Sequence, residues 1–241
     1  MLLEICASNY QSALNAEIAG AHRIELCTEL AVGGLTPSYG LLKQVLDNLK
    51  IPVFVLIRPR SGNFTYTDEE FAIMKRDIVL CKELGSAGIV SGVLNKDQTI
   101  DSERTKQLVE LSKPLPFTFH RAFDWTPNPS EALKILIDLD IERLLTSGQE
   151  ASADKGIELL KQLKAKANHK ITILPGGGIN AQNAILFKDS GFSEIHASAT
   201  RLISIQPQPR IAMNSSKFFD ETLEVASDVG KIRAILSSFS L

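Results

Sequence analysis

The sequence has few cysteines, no long hydrophobic run and no excess of either charge. The cysteines among its 241 residues, Cys6, Cys27 and Cys81, are odd in number and widely spaced, so we expect reduced thiols rather than a secreted disulfide framework. Basic and acidic side chains number 26 and 28, giving a net charge of −2, which argues against nucleic acid or an anionic membrane as partner. The N-terminal residues lack a signal-peptide pattern, and we expect a cytoplasmic protein.

Motifs of several common enzyme classes are also missing. No Gly-x-Gly-x-x-Gly follows the first β-rich segment, so no nucleotide cofactor is expected, and there is no Walker loop, nucleophile elbow or His-Glu-x-x-His. The composition, 44% hydrophobic and 22% charged, is that of an ordinary globular domain. A chain of this size folds without a structural metal, so any bound metal would be functional.

Short β-rich segments alternate with segments of helical periodicity. The β-rich segments are Leu2–Cys6, Arg23–Cys27, Val53–Ile57, Gly88–Val93, Phe117–His120, Arg143–Thr146, Ile171–Leu174 and Glu194–Ala197. This alternation predicts a parallel sheet with right-handed crossovers, and eight such units are typical of a TIM barrel. We predict an α/β fold with a single (β/α)8 TIM-barrel domain over residues 1–241. An open doubly wound sheet is the alternative.

Local signals place several helix ends and one irregular segment. Gly20 and Gly85 follow helical periodicity, Thr67-Asp68-Glu69-Glu70 is a capping box, and Asn128-Pro129 combines an N-cap with proline at the first helical position. Asn180 is predicted to begin a helix that Gly191 ends. Residues 201–227, with Pro207 and Pro209, are predicted to form an irregular loop or lid.

Polar side chains occur at strand positions that face the barrel interior. Strand side chains alternate, so Glu25, His120 and His196 point inward if their apolar neighbours pack against the outer helices. Asp124 follows the fifth strand and is a candidate to orient His120. These four residues are the catalytic candidates, with His120 or Glu25 moving a proton. The alternative is that each histidine is a structural hydrogen-bonding residue.

Two further features suit a small anion. Arg58 and Arg60 flank a proline at the end of the third strand, and guanidinium groups bind carboxylate or phosphate in a bidentate manner. A glycine-rich turn, Gly176-Gly177-Gly178, precedes a predicted helix, and with Ser198 it can bind phosphate through backbone N–H groups. The alternatives are surface arginines, partners for inward glutamates, and a simple tight turn.

Cys6 and Cys27 end adjacent predicted strands and point inward. Adjacent strands lie roughly 4.8 Å apart, so the two sulfurs can converge on one ion, and soft thiolates favour Cu(I). The alternative is that both are small buried hydrophobic residues. Cys81 lies within a helical segment and is assigned no chemistry.

A set of ordered motifs resembles the CutC family. The motifs are Glu-Ile-Cys at 4–6, Arg-Ile-Glu-Leu-Cys at 23–27, Gly-Gly-Leu-Thr-Pro-Ser at 33–38, Ile-Arg-Pro-Arg at 57–60, Thr-Phe-His-Arg-Ala-Phe-Asp at 118–124, Leu-Thr-Ser-Gly at 145–148, Pro-Gly-Gly-Gly-Ile at 175–179 and His-Ala-Ser-Ala at 196–199. The resemblance covers residues 1–200, whereas the remaining residues match less clearly.

The resemblance implies a cytoplasmic TIM-barrel protein, often a homo-oligomer, in copper homeostasis, with Cu(I) bound at Cys6 and Cys27. The residues themselves point equally to an isomerase or lyase acting on a small phosphorylated or carboxylated metabolite. The expected partners are therefore a copper ion, a small anionic metabolite, or both.

Overall fold

The predicted alternation forms a parallel barrel in the computed structural model, which describes residues 1–207, 210, 211, 213, 220 and 222–239. In the described residues, eight parallel strands form one sheet in which each strand pairs with the next along the chain up to the seventh, and the eighth pairs with the first. A bridge between Gly176 and His196 joins the two ends of the sheet. The TIM-barrel prediction is confirmed, and the open doubly wound sheet is excluded.

The elements have the following bounds. The strands are β1 Leu2–Ala7, β2 Arg23–Leu26, β3 Val53–Leu56, β4 Gly88–Ser91, β5 Phe117–Phe119, β6 Arg143–Thr146, β7 Thr172–Pro175, β8 Glu194–Ala197, β9 Thr200–Ser204 and β10 Leu223–Ser227. The helices are α1 Tyr10–Ala19, α2 Tyr39–Asn48, α3 Asp68–Glu83, α4 Ser102–Ser112, α5 Pro129–Asp138, α6 Ile157–Ala167, α7 Ala184–Asp189 and α8 Val229–Phe239.

The capping signals identify most of the predicted helix ends. Gly20 is left-handed (φ 88°), and its N–H contacts the last carbonyls of α1. The capping box of Thr67 and Glu70 begins α3, and Asn128 caps α5 through its side chain. The prediction for Asn180 is wrong. Its side chain accepts a bond from Gln182 N–H in a turn, and α7 begins only at residue 184.

Alternation along the strands determines which side chains face the helices and which fill the barrel. Leu3 and Ile5 on β1 are fully buried in the apolar layer between strands and helices. Glu4 and Cys6, between and after them, lie in the barrel interior, where Glu4 pairs with the β2 residue Arg23 and Cys6 lies in a separate inner cluster. The polar interior predicted from the sequence is therefore present.

The segment after β8 differs from the predicted irregular loop at both of its ends. Strands β9 and β10 pair as an antiparallel ribbon, with Thr200 opposite Ser227 and Ser204 opposite Leu223. Neither strand presents a continuous apolar face, which explains why the sequence pattern did not reveal them. Residues 208, 209, 212, 214–219 and 221, including Pro209, lie outside the described residues.

Within the described part of the chain, the helices are too short or too polar to cross a bilayer.

Candidate functional site

The floor of the barrel is an ion network of Glu4, Arg23, Arg143 and Glu194. Arg23 donates to Glu4 and, at 2.7 Å, to Glu194. Arg143 donates to the same Glu194 carboxylate at 3.1 Å, and both guanidinium groups lie over the Phe54 ring, 4.6 and 5.2 Å from its centroid. Each carboxylate of the floor therefore has a cationic partner, as buried charges require.

His196 connects the floor to the mouth of the barrel. Its Nδ1 lies 2.7 Å from Glu4 Oε1 and 3.9 Å from Glu25 Oε2, and the imidazole also interacts with the Cys6 thiol. Burial lowers the pKa of His196, but the bonds to Cys6 and Glu4 and the two glutamate charges outweigh this effect and raise it well above its usual value. Burial likewise raises the pKa of Glu4, yet His196 and Arg23 lower it to about 2. These two side chains form an ion pair at neutral pH.

Glu25 is the counterpart of Glu4 without a hydrogen-bond partner, and its one charged contact is the 3.9 Å approach to His196. Its side chain receives no hydrogen bond from the described residues, its Oε2 atom is buried, and only 5% of the residue is exposed. Burial and the charge of Glu4 raise the pKa of Glu25, whereas the charges of His196 and Arg23 lower it, and the result is a pKa of about 7. A carboxyl group of this kind can gain or lose a proton near neutral pH.

A cavity of about 300 Å³ opens at the carboxyl ends of the strands. Its lining residues are Cys6, Glu25, Leu30, Gly33, Leu56, Arg58, Phe64, His120, Arg121, Leu145, Gly177, Gly178, Ile179, His196, Ala197 and Ser198. We call this cavity and its lining residues the mouth. Most of the predicted site residues lie here, whereas Cys27, Arg60, Asp124 and Gly176 do not line it.

His120 lies in the wall of the mouth as a neutral imidazole. Its Nδ1 accepts a bond from Ala122 N–H at 3.2 Å, so the ring hydrogen lies on Nε2, which is buried and has no partner among the described residues. Burial, with the charge of Arg58 added, lowers the pKa of His120 to about 3. The ring packs on Phe64, with centroids 4.9 Å apart.

The two arginines of the Arg58-Pro59-Arg60 segment have different surroundings, and only one of them lines the mouth. Arg58 lines the mouth, but its terminal nitrogens donate to the carbonyls of Val32, Gly34 and Gly62 and thereby hold two loops together. Arg60 points away from the cavity. It pairs with Glu70 at 2.5 Å and donates to the Thr65 carbonyl. These partners satisfy every nitrogen of the Arg60 guanidinium group, whereas Arg58 Nε is buried and has no hydrogen-bond partner among the described residues.

Asp124 orients Arg121 rather than His120. Its carboxylate accepts bonds from Ser147 N–H at 3.1 Å, from Gln149 N–H at 3.2 Å and from the Thr146 hydroxyl. It also accepts from Arg121 Nε at 2.8 Å. The sequence correctly placed Asp124 beside the site, but the prediction of its partner is wrong because the loop after β6 encloses it.

In the glycine-rich turn, Gly176 helps to close the barrel, whereas Gly177 and Gly178 line the mouth. Gly176 N–H donates to Thr146 O, and this residue forms the bridge to His196, so Gly176 belongs to the wall of the barrel. Gly177 (φ 112°) and Gly178 (φ 74°) are left-handed and line the mouth, as does Ser198. The turn does not lead directly into a helix, so the predicted helix-dipole contribution is absent at this position.

Cys6 and Cys27 lie side by side, as predicted from the strand spacing. Their sulfurs are 3.6 Å apart, both are free thiols, and Cys6 lines the mouth. Cys27 is fully buried beneath Gly34, where a Cβ atom would lie 3.5 Å from its sulfur. The hydrogen bond with Cys27, and then burial, raise the pKa of Cys6 well above its usual value. Cys81, on α3, is buried far from this pair along the chain.

One ligand atom from each of Glu4, Glu25 and His196 can be placed so that all three lie within 4.8 Å of one another. This spacing would suit a metal ion. However, Glu4 is already paired with Arg23 and His196, and these positive charges disfavour a divalent cation there.

Sequence reasoning missed two arginines. Arg121 lies within the Thr-Phe-His-Arg-Ala-Phe-Asp motif at 118–124 and lines the mouth. From this motif the sequence predicted roles only for His120 and Asp124. Arg23 begins β2 at an inward position, so strand alternation alone could have placed it in the barrel as the partner of Glu4.

The closed parallel barrel, with buried titratable groups gathered at the carboxyl ends of its strands, defines a TIM-barrel protein. The chain belongs to the CutC family, whose pattern matches residues 1–201. It is 45% identical over 238 residues to a mouse protein called copper homeostasis protein cutC homolog, covering 97% of this chain and 88% of the mouse protein.

Solved structures agree with this assignment. The crystal structure of a CutC protein from Streptococcus agalactiae superposes with a TM-score of 0.77 at 38% identity, covering 82% of this chain and 98% of that one. Phosphoribosyl anthranilate isomerase from Thermus thermophilus has a TM-score of 0.60 at 14% identity, covering 100% of this chain and 98% of that one, and this likeness concerns the fold alone.

Proposed function

We propose that the protein binds Cu(I) between Cys6 and Cys27 and acts in copper homeostasis. The observation that carries the proposal is the 3.6 Å separation of the two free sulfurs at the edge of an open cavity. With a metal–sulfur bond of about 2.3 Å, as in zinc thiolates, two sulfurs sharing one ion lie at most ~4.6 Å apart. The name of the mouse relative, which refers to copper homeostasis, supports the same function.

The donor atoms favour Cu(I) over the common divalent metals. Two sulfurs are soft donors, which suit Cu(I), whereas structural zinc takes four ligands. Cys6 provides the route of entry, because it lines the mouth while Cys27 is closed off behind it.

Metal binding must displace protons from this pair. The raised pKa of Cys6 means that the thiol is protonated at neutral pH, and a metal binds the thiolate. We therefore expect Cu(I) binding to release protons and to become tighter as the pH rises.

Anaerobic titration with Cu(I), in competition with a chromogenic chelator, tests this proposal. The wild type and a Cys81→Ser control, which alters the remaining buried cysteine, should both bind one ion tightly with proton release. The Cys6→Ser/Cys27→Ser double variant should lose this site. Equal affinity and stoichiometry in the double variant would show that the thiols are not the ligands, and tight Zn²⁺ binding that Cu(I) does not displace would show that the metal is wrong.

A second candidate function, an isomerase or lyase that moves a proton on a small anionic metabolite, is favoured by Glu25. A buried carboxyl group without a hydrogen bond, in the wall of a cavity and with a pKa of about 7, can serve as a general base. His196, which is protonated at neutral pH, lies in the same cavity as a neighbouring acid, and the neutral His120 can donate a hydrogen bond from Nε2.

Deuterium incorporation tests the second candidate without knowledge of the substrate. Metal-free protein incubated with a metabolite extract in D₂O should introduce deuterium into a phosphorylated or carboxylated compound, detected by mass spectrometry. Glu25→Gln should abolish the incorporation. Absence of incorporation by the wild type, or equal incorporation by the variant, would contradict this function.

A further inference from the structure

One wall of the mouth presents hydrogen-bond donors that have no acceptor. Gly177, Gly178 and Ser198 follow strands β7 and β8 and line the cavity. The backbone N–H groups of Gly178 and Ser198 meet no acceptor among the described residues, whereas the Gly177 N–H faces His196 in the bridge that closes the barrel. The left-handed conformations of Gly177 and Gly178 turn the backbone tightly at this point. Unsatisfied donors grouped at the edge of a cavity are suited to an anion.

Arg121 adds a positive charge to the same wall. Its Nε is bonded to Asp124 at 2.8 Å and its Nη2 to the Ser147 hydroxyl at 2.8 Å, which leaves Nη1 free of any described partner. Nη1 lies only 3.4 Å from where a Cβ atom would stand on Gly177. Arg121 is therefore held in place on two sides with its third nitrogen beside the glycine turn.

Asp124 is the carboxylate next to this group of donors, and its charge does not prevent anion binding. The Asp124 side chain is 8% exposed and bonded to Arg121, and its oxygens also accept from Thr146 and Ser147. It positions the guanidinium group while its own oxygens are occupied.

We propose that Arg121 Nη1 and the N–H groups of Gly178 and Ser198, beside the left-handed turn at Gly177, form a phosphate subsite for a small phosphorylated organic compound. In TIM barrels the loops after strands seven and eight commonly bind phosphate. The subsite uses Arg121, which follows β5, instead of Arg58 and Arg60, whose side chains form hydrogen bonds with other protein groups. This inference deepens the second candidate function, but its test does not depend on turnover.

The remainder of the cavity determines what the phosphate is attached to. Apolar side chains of Leu30, Leu56 and Phe64 line it, and Glu25 lies in its wall. A volume of about 300 Å³ is at the lower end of the range for ligand sites, roughly 300–1,000 Å³, so the ligand is small. A short carbon skeleton packs against the apolar wall, and its polar groups reach Glu25.

Calorimetric titration of metal-free protein with inorganic phosphate, and separately with racemic glycerol phosphate, tests the subsite. The wild type should bind both saturably, with glycerol phosphate at least as tight as phosphate. Arg121→Met should weaken both by about tenfold or more, since a charge-assisted hydrogen bond is lost. Arg60→Met is the matched control, because Arg60 pairs with Glu70 away from the cavity, and it should bind like the wild type.

Each other result overturns the proposal. Absence of saturable phosphate binding, or the same affinity in Arg121→Met as in the wild type, removes the subsite. Binding of phosphate but not of glycerol phosphate contradicts the organic ligand. If Arg121→Met does not fold, Arg121→Lys, which keeps the charge but not the bonds to Asp124 and Ser147, should still weaken binding. Phosphate binding without deuterium incorporation would remove the catalytic proposal alone.

Discussion

At the floor of the barrel both carboxylates meet guanidinium groups, whereas at the mouth the Glu25 carboxyl receives no hydrogen bond from any described residue. The two regions use the same residue types within one barrel. A buried polar group without a partner costs roughly 1–3 kcal/mol, so the floor stabilises the fold and the mouth reduces its stability. Arg143 Nη1 is an unpartnered exception within the floor. The proposed roles of the mouth in binding and proton transfer account for this difference.

Breaking the floor should have the largest effect. Arg23→Met leaves Glu4 and Glu194 short of a cation in a buried position, and loss of one partner of a buried ion pair costs roughly 3–5 kcal/mol. Urea unfolding measures the change in the free energy of unfolding. Lys43→Met, which breaks the exposed pair with Asp47, is the control and should cost less than about 1 kcal/mol. Similar losses of unfolding free energy in the two variants would show that the buried ion pairs of the floor stabilise the fold no more than an exposed pair does.

Removing the Glu25 carboxyl group, which has no hydrogen bond, should change how stability depends on pH. Because burial raises the pKa of Glu25 from 4.5 to about 7, the folded state holds this proton more tightly than the unfolded state. The resulting stability is present below pH 4.5 and is lost as the pH rises through 7. At 1.36 kcal/mol per pKa unit the loss is about 3 kcal/mol.

Glu25→Gln should not show this loss. The free energy of unfolding of the wild type relative to the variant should therefore fall by about 3 kcal/mol between acidic and alkaline pH. Urea unfolding over this range measures it. A constant difference would mean that Glu25 is solvated or paired in the folded protein.

The smallest of the three effects is expected for the positioning residue Asp124. Asp124→Asn keeps the shape of the side chain but weakens its bonds to Arg121 and Ser147, which should cost roughly 1.5–3 kcal/mol. It should also weaken phosphate binding, whereas a purely structural role would leave phosphate affinity unchanged. Unfolding and titration of the same sample separate these two roles.

Strand alternation was sufficient to predict the barrel and its polar interior, because period-two burial is a local property of the sequence. Glu25, His120 and His196 all lie at the mouth for this reason. Partners, in contrast, depend on loops. Arg60 finds Glu70 across a turn, and Asp124 is enclosed by the loop after β6, and neither contact leaves a periodic signal in the sequence.

The start of α7 is a backbone feature that the sequence pattern also failed to predict. Asn180 has the residue type of an N-cap, but its side chain completes a short turn with Gln182 and the helix begins at residue 184. An asparagine at this position can therefore either cap a helix or close a short turn. The packing around the turn decides between them.

In the described residues, β7 and β8 meet through one bridge, between Gly176 and His196, while every other neighbouring pair of strands shares a longer ladder. The barrel thus has a seam, and the imidazole that links Glu4 to the mouth stands on it. We expect amide hydrogens along this line to exchange faster than those of the longer ladder between β1 and β2, and any opening of the line would displace the backbone that positions His196.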